Sequence, residues 1–205
     1  MKKKICIVAG CIMLISLSTS AFGEEEKGYI GANLGLCFLN DSAATNQFSG
    51  MNYEIQANEG VGVGATIGYD FYGFPRIEGE VAYQNNALDV VKTAAGNVTL
   101  HEDIDSLAFL VNIYFDFTNA SLWTPYLSAG AGTALINVDD TSGYVGNDYA
   151  AVFAYQAGVG LAYAVDNNLT IEAKYRYFAT TDPKFEFVEM EYASHNGYLG
   201  MRYSF

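Results

Sequence analysis

The sequence is poor in positive charge, cysteine, proline and histidine, and each shortage removes a class of protein. Among its 205 residues stand 10 Lys and Arg against 23 Asp and Glu. Three of the bases, Lys2, Lys3 and Lys4, open the chain, so the part after residue 23 carries seven bases, 23 acids and a net charge of −16. A surface of that sign repels phosphate backbones and excludes a nucleic-acid partner. Cysteine occurs three times; Cys6 and Cys11 lie in the first 23 residues, which leaves Cys37 alone and no intramolecular disulfide to form. A disulfide framework is therefore excluded, although an exported protein could carry one. Only His101 and His195 offer an imidazole, so acid–base and metal chemistry have few places to reside.

What is present is aromatic and small. Three prolines, 21 glycines, 16 tyrosines and 13 phenylalanines suit a β protein with many turns and aromatic borders. The leader differs from the rest. Lys2 to Lys4 precede an apolar run from Ile5 to Leu17, followed by small residues that end at Ala21-Phe22-Gly23. That order is a secretory signal with a cleavage site, and the run falls short of the roughly 20 residues a membrane-spanning helix needs. Residues 1–23 are thus read as a cleaved signal peptide and 24–205 as one domain. Val8-Ala9-Gly10-Cys11 resembles a lipidation box, but cleavage there would leave a signal of only ten residues.

Eight later segments alternate with a period of two, the mark of a strand with a different environment on each face. They begin near Tyr29, Val61, Arg76, Leu107, Tyr126, Val152, Leu169 and His195. In the second, Val61, Val63, Ala65, Ile67, Tyr69 and Phe71 alternate with Gly62, Gly64, Thr66, Gly68 and Asp70. In the last, Leu199, Met201, Tyr203 and Phe205 alternate with Tyr198, Gly200, Arg202 and Ser204. Polar stretches at 40–60, 85–105, 137–149 and 179–194 predict four long loops, and the links between them are short, as at Asp166-Asn167-Asn168. Long and short connections alternate, with every short one at the end where the chain enters. An all-β, eight-stranded antiparallel up-and-down transmembrane barrel meets that description.

A water-soluble barrel would place the apolar face inside. Three features predict the membrane version. The mixed face is rich in glycine and alanine, as a narrow interior requires. Aromatics gather at segment ends, with Tyr69, Phe71, Phe115, Phe117, Tyr163, Tyr203 and Phe205 at the lower end. Phe38, Tyr83, Phe153, Tyr155, Tyr175 and Tyr177 make the upper belt. Finally, charges on the mixed face nearly cancel: Asp70, Glu78, Glu80, Asp116 and Glu172 face Arg76, Lys174, Arg176 and Arg202. Charges sharing a low-dielectric interior need partners.

With its signal, eight strands, Gly-x-Gly repeats and terminal Tyr203-Ser204-Phe205, the chain resembles the OmpA-like outer-membrane β-barrel family, which includes opacity-type surface antigens of Gram-negative bacteria. The resemblance covers essentially all of the chain after the signal. It implies that Gly200, Tyr203 and Phe205 match the signal read by the barrel-assembly machinery. It also implies a plugged interior with charged pairs. The sequence ends at the barrel, so peptidoglycan anchoring through a second domain is not expected.

The motifs that could carry chemistry have plainer explanations. The Gly-x-Gly runs at 60–64, 130–132 and 158–160 lie inside strands and lack the spacing of a nucleotide loop. Ser194 and His195 are neighbours in a strand and so point to opposite faces, which predicts no nucleophile–base pair. The four predicted loops hold 14 acids but no calcium-loop pattern. Cys37 reads as a small lumen filler. The expectation is a non-catalytic monomer in the bacterial outer membrane without cofactor or metal, in contact with membrane lipid and lipopolysaccharide. Its acidic loops would serve a structural or surface-recognition role toward an unidentified external ligand. The alternative is a narrow gated pore through the charged lumen, although eight strands leave an interior that side chains fill.

Overall fold

Side chains that alternate between two environments can satisfy every backbone group in lipid only if the first strand finds the last. In the computed structural model it does. The structure describes residues 27–40, 42–46, 52–57, 59–71, 75–93, 96–139, 148–181, 188–190 and 192–205. The predicted signal peptide at 1–23 and the lipidation-like box within it lie outside these residues.

Eight long strands form the wall: β1 (Lys27–Leu39), β4 (Glu59–Asp70), β5 (Arg76–Thr93), β6 (Gly96–Asp116), β7 (Trp123–Asp139), β8 (Asp148–Ala164), β9 (Leu169–Thr180) and β11 (Ala193–Ser204). Each pairs antiparallel with the next in this order. β11 closes on β1 over eleven residue pairs, from Tyr29↔Ser204 to Leu39↔Ser194. The chain is a closed eight-stranded antiparallel β-barrel. Three short strands, β2 (Ser42–Asn46), β3 (Asn52–Ala57) and β10 (Val188–Met190), extend the sheet outward from β5.

The short link at 165–168 shows how local chemistry sets the turns. The carboxylate of Asp166 accepts the backbone N–H groups of Asn168 at 2.8 Å and Leu169 at 2.7 Å. Those two bonds favour the charged form and hold its pKa below the ordinary carboxylate value.

The outward face is apolar. Leu34 is 62 %, Val111 64 % and Leu199 67 % exposed, whereas Arg76 is 1 % and Arg176 3 % exposed. Water on that wall would leave a continuous aliphatic band unburied, far beyond the patches a soluble monomer carries. Lipid is the medium that fits. Exposed Phe115, Phe117 and Tyr203 border the band below, and exposed Phe153, Tyr155 and Tyr175 border it above.

The outer end differs from the sequence reading. Where a polar connection was expected over 85–105, β5 and β6 continue as one hairpin to the pair Thr93↔Gly96. Likewise β7 and β8 reach Val138↔Asp148 within the expected third loop. Backbone pairing continues because strand polarity inverts there instead of ending. Ile104 and Ile136 point inward and are fully buried, while Asp103 is exposed and Asp105 and Asn137 are half-buried on the other face. At this outer end polar residues take the outward face, while the interior is mixed, with Ile104 and Ile136 beside buried Gln84, Asn86 and Ser106.

Candidate functional site

The lumen holds the buried polar groups, and it is built in three layers. In the lowest, Arg76 on β5 forms a bidentate pair with Asp116 on β6, Nε–Oδ2 2.6 Å and Nη2–Oδ1 3.1 Å. Its Nη1 donates to the hydroxyl of Tyr29 on β1 at 3.0 Å. That hydroxyl donates to Glu78 Oε2 at 3.0 Å, and Tyr114 donates to Glu78 Oε1 at 2.7 Å. The guanidinium lies 4.2 Å from the Tyr114 ring centroid, a cation–π contact. Arg202 reaches Glu172 at 2.9 Å, and Arg76 lies 3.9 Å from the same carboxylate.

In the middle layer Glu80 is 3 % exposed and meets Arg176 at 2.7 Å. Its other oxygen accepts from Asn112 at 2.9 Å and Gln156 at 3.0 Å. Arg176 also donates to the Tyr198 hydroxyl at 2.9 Å, so both members of the pair are held by further donors and acceptors. That is the condition under which a buried ion pair is tolerated. A cavity of about 10 Å³, bounded by Asn33, Thr66, Glu78, Glu172, Lys174 and Arg202, lies between these groups. It has room for about one water molecule.

The third layer lies at the outer end, where buried Gln84, Asn86, Ser194 and Asn196 sit beside an apolar cluster. Ile104, Ala134, Ile136, Ala154, Phe178 and Tyr192 are buried together in one apolar cluster, with Leu39 and Val152 packed against it. This cluster, an apolar stopper on the inward side of the wall, lies outward of the two ion-pair layers.

Seven of the nine charged residues singled out in the sequence are linked by these contacts: Arg76, Glu78, Glu80, Asp116, Glu172, Arg176 and Arg202. The other two stand apart. Asp70 sits at the lower end of β4 without an ion pair among the described residues. Lys174 has its ammonium 5.7 Å from the Tyr198 ring, also without an ion pair there. Gly200 and Tyr203 lie on β11, where Tyr203 pairs with Ile30 and Leu169, and Phe205 just beyond it donates its backbone N–H to Gly28 O at 2.9 Å. Ser194 donates to Gln84 inside the lumen at 3.3 Å, whereas His195 faces outward and bonds Tyr175. The two therefore do not meet. Among the described residues no group of three metal-ligating side chains converges.

Sequence reading missed the tyrosines. Tyr29 pairs across strands with Gly68, Tyr126 with Gly160, and Tyr198 with Gly35. A Cβ on Gly68 would strike the Tyr29 ring, and one on Gly160 the Tyr126 ring. Glycine in this lumen is the space a tyrosine lies in. The register between strands carries that signal, and composition does not.

A closed eight-stranded wall with an apolar outer face and a filled, hydrogen-bonded interior defines a transmembrane barrel of the bacterial outer membrane. The chain belongs to the outer membrane protein beta-barrel domain family, whose model matches residues 7–205. It is similar to outer membrane protein PagN of Salmonella typhimurium strain LT2, with 30 % identity over 196 residues covering 82 % of this chain and 81 % of PagN. Among solved structures it resembles Neisserial surface protein A, with TM-score 0.59 and 18 % identity over 87 % of this chain and 97 % of that one. It also resembles OprG of Pseudomonas aeruginosa, with TM-score 0.58 and 15 % identity over 88 % and 97 %. These two likenesses concern the fold alone.

Proposed function

We propose that this protein is a non-catalytic surface-recognition barrel whose acidic outer loops meet ligands outside the cell. The observation that carries the reading is the filled lumen. With the interior taken by an ion-pair network and an apolar stopper, the outer end is the surface left to act on the surroundings. Recognition generally resides on loops held by a rigid scaffold. The predicted loops hold 14 acids, which favours a basic partner and electrostatic steering toward it. The stopper weighs against the narrow pore, and the separation of Ser194 from His195 weighs against hydrolysis.

The test is adhesion of cells expressing the protein to immobilised matrix proteins and cultured host cells. We expect binding that falls with salt and is lost when segments 40–60, 85–105, 137–149 and 179–194 are exchanged for those of an unrelated eight-stranded barrel. Equal adhesion by the exchanged barrel would refute the proposal. The same reading includes export through cleavage after residue 23, handling by the assembly machinery through Gly200, Tyr203 and Phe205, and contact with lipopolysaccharide. Deleting Phe205 should lower the amount of heat-modifiable barrel in outer-membrane fractions, and intact mass should begin at Glu24.

A further inference from the structure

The outward wall has a break where β1, β11 and β9 meet in the outer half of the membrane. Gly197 sits there, exposed, and a Cβ built on it would meet nothing within 4 Å. The register places Leu36 on one side of it and Tyr175 on the other. Both neighbours are half-exposed, and Leu199 below is the most exposed large apolar side chain described. A slot one side chain deep is therefore left in the wall, with Leu36 and Tyr175 at its sides and Leu199 below.

At its upper end stands His195. The Tyr175 hydroxyl lies 2.5 Å from its Nδ1, and the Tyr177 ring centroid is 5.2 Å from the imidazole. With the phenol donating to Nδ1, Nε2 carries the proton, and no described residue accepts it. Two tyrosines thus hold the ring, and Nε2 faces away from them as a donor in the Nε2–H tautomer and in the protonated ring alike. The register sets Phe38 between His195 and the acid Glu59. Among residues of the outward face whose side chains are described, His195 is the only basic one. It also lies at the level of the upper aromatic belt, where lipid headgroups sit.

We propose that this slot binds one phosphorylated lipid of the outer leaflet, the phosphate accepting from Nε2 of His195 and an acyl chain lying over Gly197 between Leu36 and Tyr175. A hydrogen bond to a charged phosphate and the burial of several methylenes are separate contributions, so either can be removed alone. The site rests on the lipopolysaccharide contact included in the proposed function and not on what the loops recognise.

The experiment is native mass spectrometry of delipidated full-length barrel titrated with diphosphoryl lipid A, with the same lipid stripped of phosphate, and with inorganic phosphate as competitor. We expect one lipid A per barrel, with affinity reduced at least about tenfold in His195→Ala, in Gly197→Leu and for the dephosphorylated lipid. Inorganic phosphate should not compete. Gly197→Leu enters open space and should fold; His195→Ala tests the site without adding volume. Gly79→Leu, at an outward glycine elsewhere on the wall, should bind as the parent does. Equal binding by the parent and both slot variants, equal loss in Gly79→Leu, or displacement by inorganic phosphate would each overturn the assignment.

Discussion

Glu80 and Arg176 show what a buried charge needs. Each is almost wholly withdrawn from solvent and carries further hydrogen bonds to Asn112, Gln156 and Tyr198. Removing one partner leaves the other uncompensated, so Glu80→Leu or Arg176→Met alone should destabilise the barrel by about 3–5 kcal/mol. The double variant should recover most of that loss, because two apolar groups need no partner. Urea unfolding of vesicle-reconstituted protein would measure all three. Glycine can be tested in the same way. Gly160→Val forces the Tyr126 ring aside and should cost about 1–3 kcal/mol, and adding Tyr126→Ala should return part of it. If the valine is tolerated without that rescue, the packing argument is wrong.

Strands carry the orientation. Val63 lies on the outward face of β4 and is 43 % exposed. An arginine there would face lipid, and Val63→Arg should cost about 2–4 kcal/mol near mid-bilayer. Unchanged stability in vesicles would refute that placement. The wall was legible in the sequence because a period of two survives without an alignment: Val61 to Phe71 and Leu199 to Phe205 fix their own faces. The collar above it was not legible. Asp105 and Asn137 look like loop residues, but they lie on strands whose neighbouring inward positions are Ile104 and Ile136. A polar outward face signals a loop only while the surroundings are lipid; above the membrane it signals a strand in water. The charged lumen residues were legible by face, whereas their pairing depended on a register that single segments do not encode. Tyr198 reaching Arg176 is an example.

For the molecule as a whole, the issue is whether anything crosses it. The polar layers leave a cavity of about 10 Å³, and the apolar stopper lies above them. Planar-bilayer recording should show no discrete conductance for the parent. Truncating the stopper with Ile104→Ala, Ile136→Ala and Phe178→Ala together should admit water and produce brief openings. Steady conductance in the parent would restore the pore. Silence in a folded triple variant would mean that the ion-pair layers seal the barrel by themselves.

The stopper has a consequence for how freely the outer tips can vary. It is assembled from residues of the wall and its immediate margins, such as Ile104, Ile136, Phe178 and Tyr192. If the bilayer recordings are silent for the parent, the seal is set by these wall residues. Substitutions confined to residues beyond this cluster should therefore leave its packing unchanged.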